Sequence, residues 1–235
     1  MSSLRGKRRR AMKIAARAAI LARREPRLQD KKRRTVALYA ISQSRPLLEK
    51  IARHLFLVLR HKTYVFLYCA YAGHPIRGFM HDWSKFSPVE FCESVKYFNG
   101  HSSPVGLCRM VEGCSRGWIH HKGRNQHHHE YWQDVVEPDG TICAVQYAFR
   151  PVPMPFECAV EMTCDTIAAS RAYNGANFSY DKLMQWWRNS HRFPVNMHPK
   201  MERYCNLIYA ELQREGSCRP LRRAREFYDQ AMRGE

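Results

Sequence analysis

The chain has 235 residues, with 39 Lys and Arg, 21 Asp and Glu and 12 His, giving a formal net charge of +18. At 45% hydrophobic and 12% aromatic it carries enough apolar side chain for a buried core, which excludes a wholly disordered protein. The charge is uneven. Residues 1–34 hold 14 Lys and Arg against two acids, Glu25 and Asp30, a surplus of +12, whereas residues 35–235 hold 25 against 19, a surplus of +6. The basicity therefore belongs to an N-terminal extension more than to a domain. The nine cysteines are odd in number and none stand in C-x-x-C spacing, so a zinc ribbon or finger is not expected. Free thiols point to the cytoplasm or another reducing compartment. The longest apolar run, Tyr64–Ala72, covers nine residues. A membrane span needs roughly 20, so no transmembrane segment is expected.

Residues 1–34 are rich in Arg and Ala, with Met12, Ile14, Ala15, Ala18, Ala19 and Leu21 able to line one side of a basic helix. Composition admits four readings: a solvated tail, an arm that neutralises nucleic-acid phosphates, a targeting helix that leads to the mitochondrial matrix, or a segment lying on an anionic membrane. The rest of the chain reads as helical. From Arg45 to Tyr71, Leu47, Leu48, Ile51, Leu55, Val58, Leu59, Val65, Phe66 and Cys69 recur with a helical period and predict a wide buried face. Ser87-Pro88-Val89-Glu90 places Ser at the N-cap, Pro at the first helical position and Glu at the third. That helix is expected to stop near Asn99-Gly100. A further helical stretch is expected over Val105–Trp132. Pro138-Asp139-Gly140 predicts a turn and Thr141–Tyr147 a short strand. Arg150–Pro155, with three prolines, reads as an extended connector. A helix from Pro155 to Tyr173 ends at Asn174-Gly175. Ser179 caps the next, which holds Leu183, Trp186 and Trp187; Pro199 opens one to Arg214, and Pro220 the last. The expected fold is an all-α bundle of about six to eight helices. Its domain is expected over 45–215, behind the basic extension at 1–34 and ahead of a C-terminal helix and tail at 216–235.

Nine of the twelve histidines fall between His61 and His129. The informative residues run in order: His61, His81-Asp82, Lys85, His120-His121, Arg124, His127-His128-His129 and Asp165. Imidazole nitrogens and carboxylate oxygens together suit divalent ions such as Mn, Fe or Zn. Packed helices assemble such sites from ligands far apart in sequence.

This order resembles the HD superfamily of metal-dependent phosphohydrolases, and His81-Asp82-Trp83-Ser84-Lys85-Phe86 looks like that family's H-D-x-x-K element. The resemblance implies an HD-like helical bundle in which His61, His81, Asp82 and Asp165 hold a metal. His120-His121-Lys122-Gly123-Arg124-Asn125 resembles the H-H-x-x-R stretch of the HD-GYP branch. There it implies second-metal ligands at His120 and His121 and a phosphate contact at Arg124. The G-Y-P element is absent, since Gln126–Trp132 stands in its place. The stretches HDWSKFSPVEF, WIHHKGRNQHHHEYW and PMPFECAVEMTCDTIAASRAYNG look like a family of small bacterial and phage proteins of unknown function, over about residues 59–200. That closer resemblance implies a compact helical fold and no substrate.

The roles also follow from chemistry. A water bridging two cations loses a proton near neutral pH and becomes a nucleophile. Lys85 lies one helical turn beyond Asp82, within reach of a phosphate in the same pocket. Arg124 offers a planar fork to a second phosphate oxygen. Glu161, four residues before Asp165, is placed to orient a ligand or to act as general acid or base. His127 and His128 follow His120 and His121 by seven residues, roughly 10 Å along one helix. That spacing suits a substrate contact, unless the chain folds back at Gly123. Trp118 and Trp132 flank the cluster and are candidates for a pocket wall. The expected function is hydrolysis of a small phosphate ester, with nucleotides among the candidates, using one or two ions of Mn, Fe, Zn, Co or Mg. Two alternatives compete: an HD-like di-iron oxygenase, and a nucleic-acid-binding or structural protein that engages DNA or RNA through residues 1–34 and whose metal site is not catalytic.

Overall fold

The computed structural model describes residues 30, 33–136, 148–190 and 196–234. The fold is all-α, with one two-stranded antiparallel ribbon. Helix α1 covers residues 33–44. Its Leu38 and Tyr39 pack on a small cluster of Tyr97, Leu107 and Cys108, beside the main core. Helix α2 (Leu47–Tyr71) is the long spine. Its buried side carries Lys50, His54, Val58, His61, Val65, Tyr68 and Cys69. Leu47, Leu48, Leu55, Leu59 and Phe66 lie on the exposed side, so the wide apolar face expected to be buried is mostly turned outward. The helical period was correct; the face that packs is the one carrying the histidines.

Helix α3 (Pro75–Met80) lies directly against α2, and the approach is set by Gly78. A Cβ there would stand 2.7 Å from Cys69 Cβ and 2.9 Å from Phe66 Cα, so only glycine lets the two backbones come this close. A short 3₁₀ helix, Trp83–Phe86, leads into α4 (Pro88–Lys96). Ser87 Oγ accepts from the Glu90 amide at 3.4 Å, as the capping motif predicts. Helix α5 (Pro104–Glu112) stops at Gly113, which takes φ 80°, and Ser115 then caps α6 (Arg116–Lys122). The expected continuous helix over Val105–Trp132 is therefore two helices followed by a turn and a second 3₁₀ segment, His129–Tyr131.

Strands β1 (Gln133–Val136) and β2 (Ala148–Pro151) pair antiparallel, with Gln133 opposite Pro151. The expected turn at Pro138-Asp139-Gly140 and strand at Thr141–Tyr147 lie outside the described residues, as does nearly all of the basic extension. Helix α7 (Phe156–Asn174) runs through the middle of the molecule and buries Ala159, Val160, Cys164, Ile167 and Ala168. Helix α8 (Tyr180–Ser190) follows, with Ser179 Oγ accepting from the Lys182 amide at 3.2 Å. Helices α9 (Pro199–Glu215) and α10 (Ala224–Arg233) complete the core with Met201, Tyr204, Ile208, Leu212 and Ala231. The described residues thus hold ten α-helices, two more than the upper expectation, because short segments split where one helix was expected. No described helix is long and apolar enough to cross a membrane. The eight described cysteines are all free thiols, five of them buried.

Candidate metal centre

Four elements converge on one buried point. His61 comes from the middle of α2. His81 and Asp82 come from the end of α3, His121 from the last turn of α6, and Glu161 and Asp165 from one face of α7. After Gly123 the chain folds back, so His127 and His128 return to the same point. His128 Nε2 stands 2.8 Å from His121 Nε2. The seven-residue offset is therefore not an axial displacement along one helix.

Two ligand sets result. His61, His81, Asp82 and Asp165 form one, and Asp82, His121, His127 and His128 the other; within each, one donor atom per residue lies within 4.8 Å of all the rest. Ligands held about 2.1 Å from a single ion must lie within roughly 4.2 Å of one another, so both sets are close to closure. Asp82 belongs to both. It is also the only described non-glycine residue with positive φ, 53°, in the left-handed region that Asp tolerates better than most residues. That conformation sits at the corner between α3 and the following 3₁₀ turn, where the carboxylate joins both sets.

The close atoms are not satisfied by one another. His61 Nε2 is 3.0 Å from Asp165 Oδ1, His81 Nε2 is 3.0 Å from Asp82 Oδ2, and His127 Nε2 is 3.4 Å from Asp82 Oδ1. Yet the angles fail. Nε2 of His61, His81 and His127 and Oδ1 of Asp82 are buried without a hydrogen-bond partner, while Asp82 Oδ2 has the Lys85 ammonium beside it. Buried polar atoms are nearly always paired. Four orphans drawn from two ligand sets fit a metal better than they fit a network of hydrogen bonds. With two nitrogens and two oxygens in one set, and three nitrogens and one oxygen in the other, the donors suit Mn, Fe, Co or Zn better than Mg, which prefers oxygen.

The outer nitrogens are held separately. Glu161 Oε1 lies 3.0 Å from His81 Nδ1 and 3.3 Å from His127 Nδ1, while Arg77 Nε donates to Glu161 Oε2 at 2.9 Å. Glu90 does the same on the other side. Its Oε2 is 2.8 Å from His121 Nδ1 and its Oε1 is 2.6 Å from His120 Nδ1. A carboxylate only accepts, so these Nδ1 atoms carry the hydrogens and the Nε2 lone pairs of His81, His121 and His127 face inward. Glu161 forms a third geometric group with His81 and His127, but through these outer nitrogens, which makes it an orienting group.

Electrostatics agree with this arrangement. Burial, aided by the Lys85 charge, pushes the His61 imidazole down to about 4, so it stays neutral and able to coordinate. Burial likewise holds His128 well below the ordinary histidine value. Burial would raise the Asp82 carboxyl, but His81 and Lys85 outweigh it and hold Asp82 well below the usual carboxylate range. Asp165 is held low by His61 and His81, again against burial. For His81, burial lowers the imidazole but Asp82, Asp165 and Glu161 outweigh it and raise it well above its ordinary value, so its Nε2 lone pair is free only where a bound cation takes the place of a proton. The field at this point favours a cation.

The remaining sequence candidates are placed as follows. Lys85 Nζ lies 2.5 Å from Asp82 Oδ2 and lines the adjoining cavity. His120 is outside both ligand sets, bound to Glu90. Arg124 is exposed, donates to the His120 carbonyl at 3.4 Å and does not line the cavity. His127 and His128, expected as substrate contacts, stand among the metal-ligand groups. His129 Nδ1 lies 3.3 Å from the Asn196 carbonyl, apart from the cluster. Glu90, Arg77 and Arg109 were not singled out from the sequence. Glu90 was visible only as a helix-capping residue, and its carboxylate is taken up by the two histidines.

Residues 50–211 match the family of unknown function DUF5662. The chain belongs to this family. No curated protein and no solved structure matches it. The matched span contains every residue of both ligand sets and both orienting glutamates.

Proposed function

We propose that this DUF5662 member is a metal-dependent phosphohydrolase acting on a small phosphate ester. The observation that carries the reading is the pair of ligand sets sharing Asp82, beside a cavity that Lys85 also lines. The order His61, His81-Asp82, Asp165, which resembles the HD superfamily, supports the same reaction class. When bound, divalent cations supply Lewis-acid polarisation of a phosphoryl oxygen and a lowered pKa for water beside them. The residues have distinct tasks. Lys85, held by Asp82, offers a point charge to the phosphoryl group from the cavity side. Glu161 and Glu90 fix the tautomers of His81, His127 and His121. Burial of the cluster keeps these interactions in a low-dielectric setting where they are strong.

Elemental analysis of full-length protein purified without added metal tests the reading, with Asp82→Asn as comparison. Asn tolerates the left-handed backbone but removes the shared charge. Wild type should carry Mn, Fe, Co or Zn and hydrolyse p-nitrophenyl phosphate; Asp82→Asn should lose both properties. Equal metal content in the two proteins sinks the proposal. Bound iron with oxygen uptake and no phosphatase activity would replace it with the di-iron oxygenase reading, which the three-histidine set also suits.

A further inference from the structure

We infer that the cavity beside the ligand cluster takes a phosphate monoester whose body is a planar ring, and not a polyphosphate. The inference rests on the phosphoester reading above and narrows its substrate class. The cavity holds about 450 Å³, within the usual size of a small-molecule site. One wall is the cluster itself, through His61, His121, His128, Asp165 and Lys85. Away from it the lining is largely aliphatic, with Leu57, Val58, Pro104, Val105, Ala169 and Ala172.

Fixed positive charge is scarce in that lining. Among the described residues its only Lys or Arg are Lys85, paired with Asp82, and Arg109, whose guanidinium lies 5.1 Å from the centre of the Trp118 ring. One phosphoryl group can rest at the cluster. A second or third would extend against hydrocarbon, and burying an ionised group without a partner is strongly unfavourable.

Aromatic surface is plentiful by contrast. Trp118 packs beside the cluster, with ring centres 4.9 Å from His128 and 5.7 Å from His121. Tyr173 and Trp186 also line the cavity, at 42% and 53% exposure. Three such rings around one space suit a flat body, by stacking or edge contact.

Non-hydrolysable phosphonates separate binding from turnover. The test is calorimetric titration of metal-loaded, full-length protein with four probes: 1-naphthylmethylphosphonate, a nucleoside 5′-phosphonate, methylphosphonate and 3-phosphonopropionate. The two ring compounds should bind at least tenfold more tightly than methylphosphonate. A better fit for the nucleoside compound assigns the ring as heteroaromatic, and a better fit for the naphthyl compound assigns it as hydrocarbon. The second anion of 3-phosphonopropionate should add nothing. Trp186→Ala should weaken the ring compounds about fivefold and leave methylphosphonate within twofold. Equal affinity for all four, tighter binding of 3-phosphonopropionate, or no binding at all overturns the inference. Ring phosphonates that bind as stated, with ring phosphates that are never hydrolysed, leave the inference standing and remove the hydrolase reading.

Discussion

Asp82 and His54 show two ways a single buried polar residue can be tolerated. Asp82 holds a strained left-handed backbone, at a cost of about 1–2 kcal/mol, and belongs to both ligand sets. His54 has no such task in the cluster. Its ring packs against Phe91 and Phe98, at 5.3 Å and 5.6 Å between centres, and burial, with a smaller push from Lys85, lowers its imidazole from 6.5 to about 4. The folded protein therefore keeps His54 neutral while the unfolded chain takes up a proton below about pH 6.5. Stability from this residue is fully present above pH 6.5 and is lost as pH falls toward 4, by up to about 3 kcal/mol. His54→Leu should flatten the fall in stability between pH 6.5 and 4 by that order, measured by urea unfolding across the range. An unchanged slope would show that His54 is not held neutral. At this scale much of the candidate site was legible: His61, His81, Asp82 and Asp165 stand together, as their order and chemistry suggested. Glu90 and Arg77 were not legible. Orienting groups are recognised by what they touch, and a glutamate in the first turn of a helix has an adequate local reason to be there.

Helix pairs bring those residues together through small contacts that sequence periodicity does not report. Gly78 is the clearest case. On helix propensity alone, Gly→Ala inside a helix stabilises by about 1 kcal/mol. Here the added carbon would meet Cys69 Cβ at 2.7 Å and Phe66 Cα at 2.9 Å, and the Phe66 backbone cannot swing aside. Overpacking of this kind costs about 1–3 kcal/mol, so the sign reverses. Gly78→Ala should lower the melting temperature and, by moving α3 off α2, reduce the metal content proposed for the site of His61 and His81-Asp82. A rise in melting temperature would contradict the close approach. Gly117 on α6 is a milder case, since an added Cβ would fall 2.8 Å from Glu93 Oε1, the movable end of a side chain, and in ordinary contact, 3.4 Å, with Glu90 Cα. Element boundaries were readable at Ser87-Pro88, Asn174-Gly175 and Pro199, but α4 stops at Lys96, short of Asn99-Gly100, and Pro220 opens a 3₁₀ turn ahead of α10. The inner face of α2 was not. Its apolar stripe is wide, but the side that packs on its partner helices carries His54, Val58, His61, Val65, Tyr68 and Cys69, and tertiary pairing overrides the stripe.

At the scale of the whole molecule, the family match ends at residue 211 but the core does not. Leu221, Ala224 and Ala231 are fully buried in the main cluster with Ala159, Tyr204 and Ile208. Tyr228 Oη donates to the Met154 carbonyl at 2.6 Å, and its ring meets Phe156 and Tyr204 at 5.4 Å and 5.8 Å between centres. Arg225 lies 3.8 Å over the Phe156 ring. Phe156 opens α7, the helix that presents Glu161 and Asp165 to the cluster, so the last helix supports the end of the element that carries the site. Burial of Leu221 alone is worth about 2 kcal/mol. Stripping Tyr228 from Phe156 and Tyr204 adds a loss of similar size. Together these approach the low end of the 5–15 kcal/mol that holds a domain folded. A chain ending at Glu215 should therefore lose its cooperative thermal transition or melt more than 10 °C lower, a shift of the size that a loss of a few kcal/mol produces. Leu221→Ala in the full chain should cost about 2–4 kcal/mol by urea unfolding. If the shortened chain melts within 2 °C of the full one, α10 is an appendage and the core closes without it.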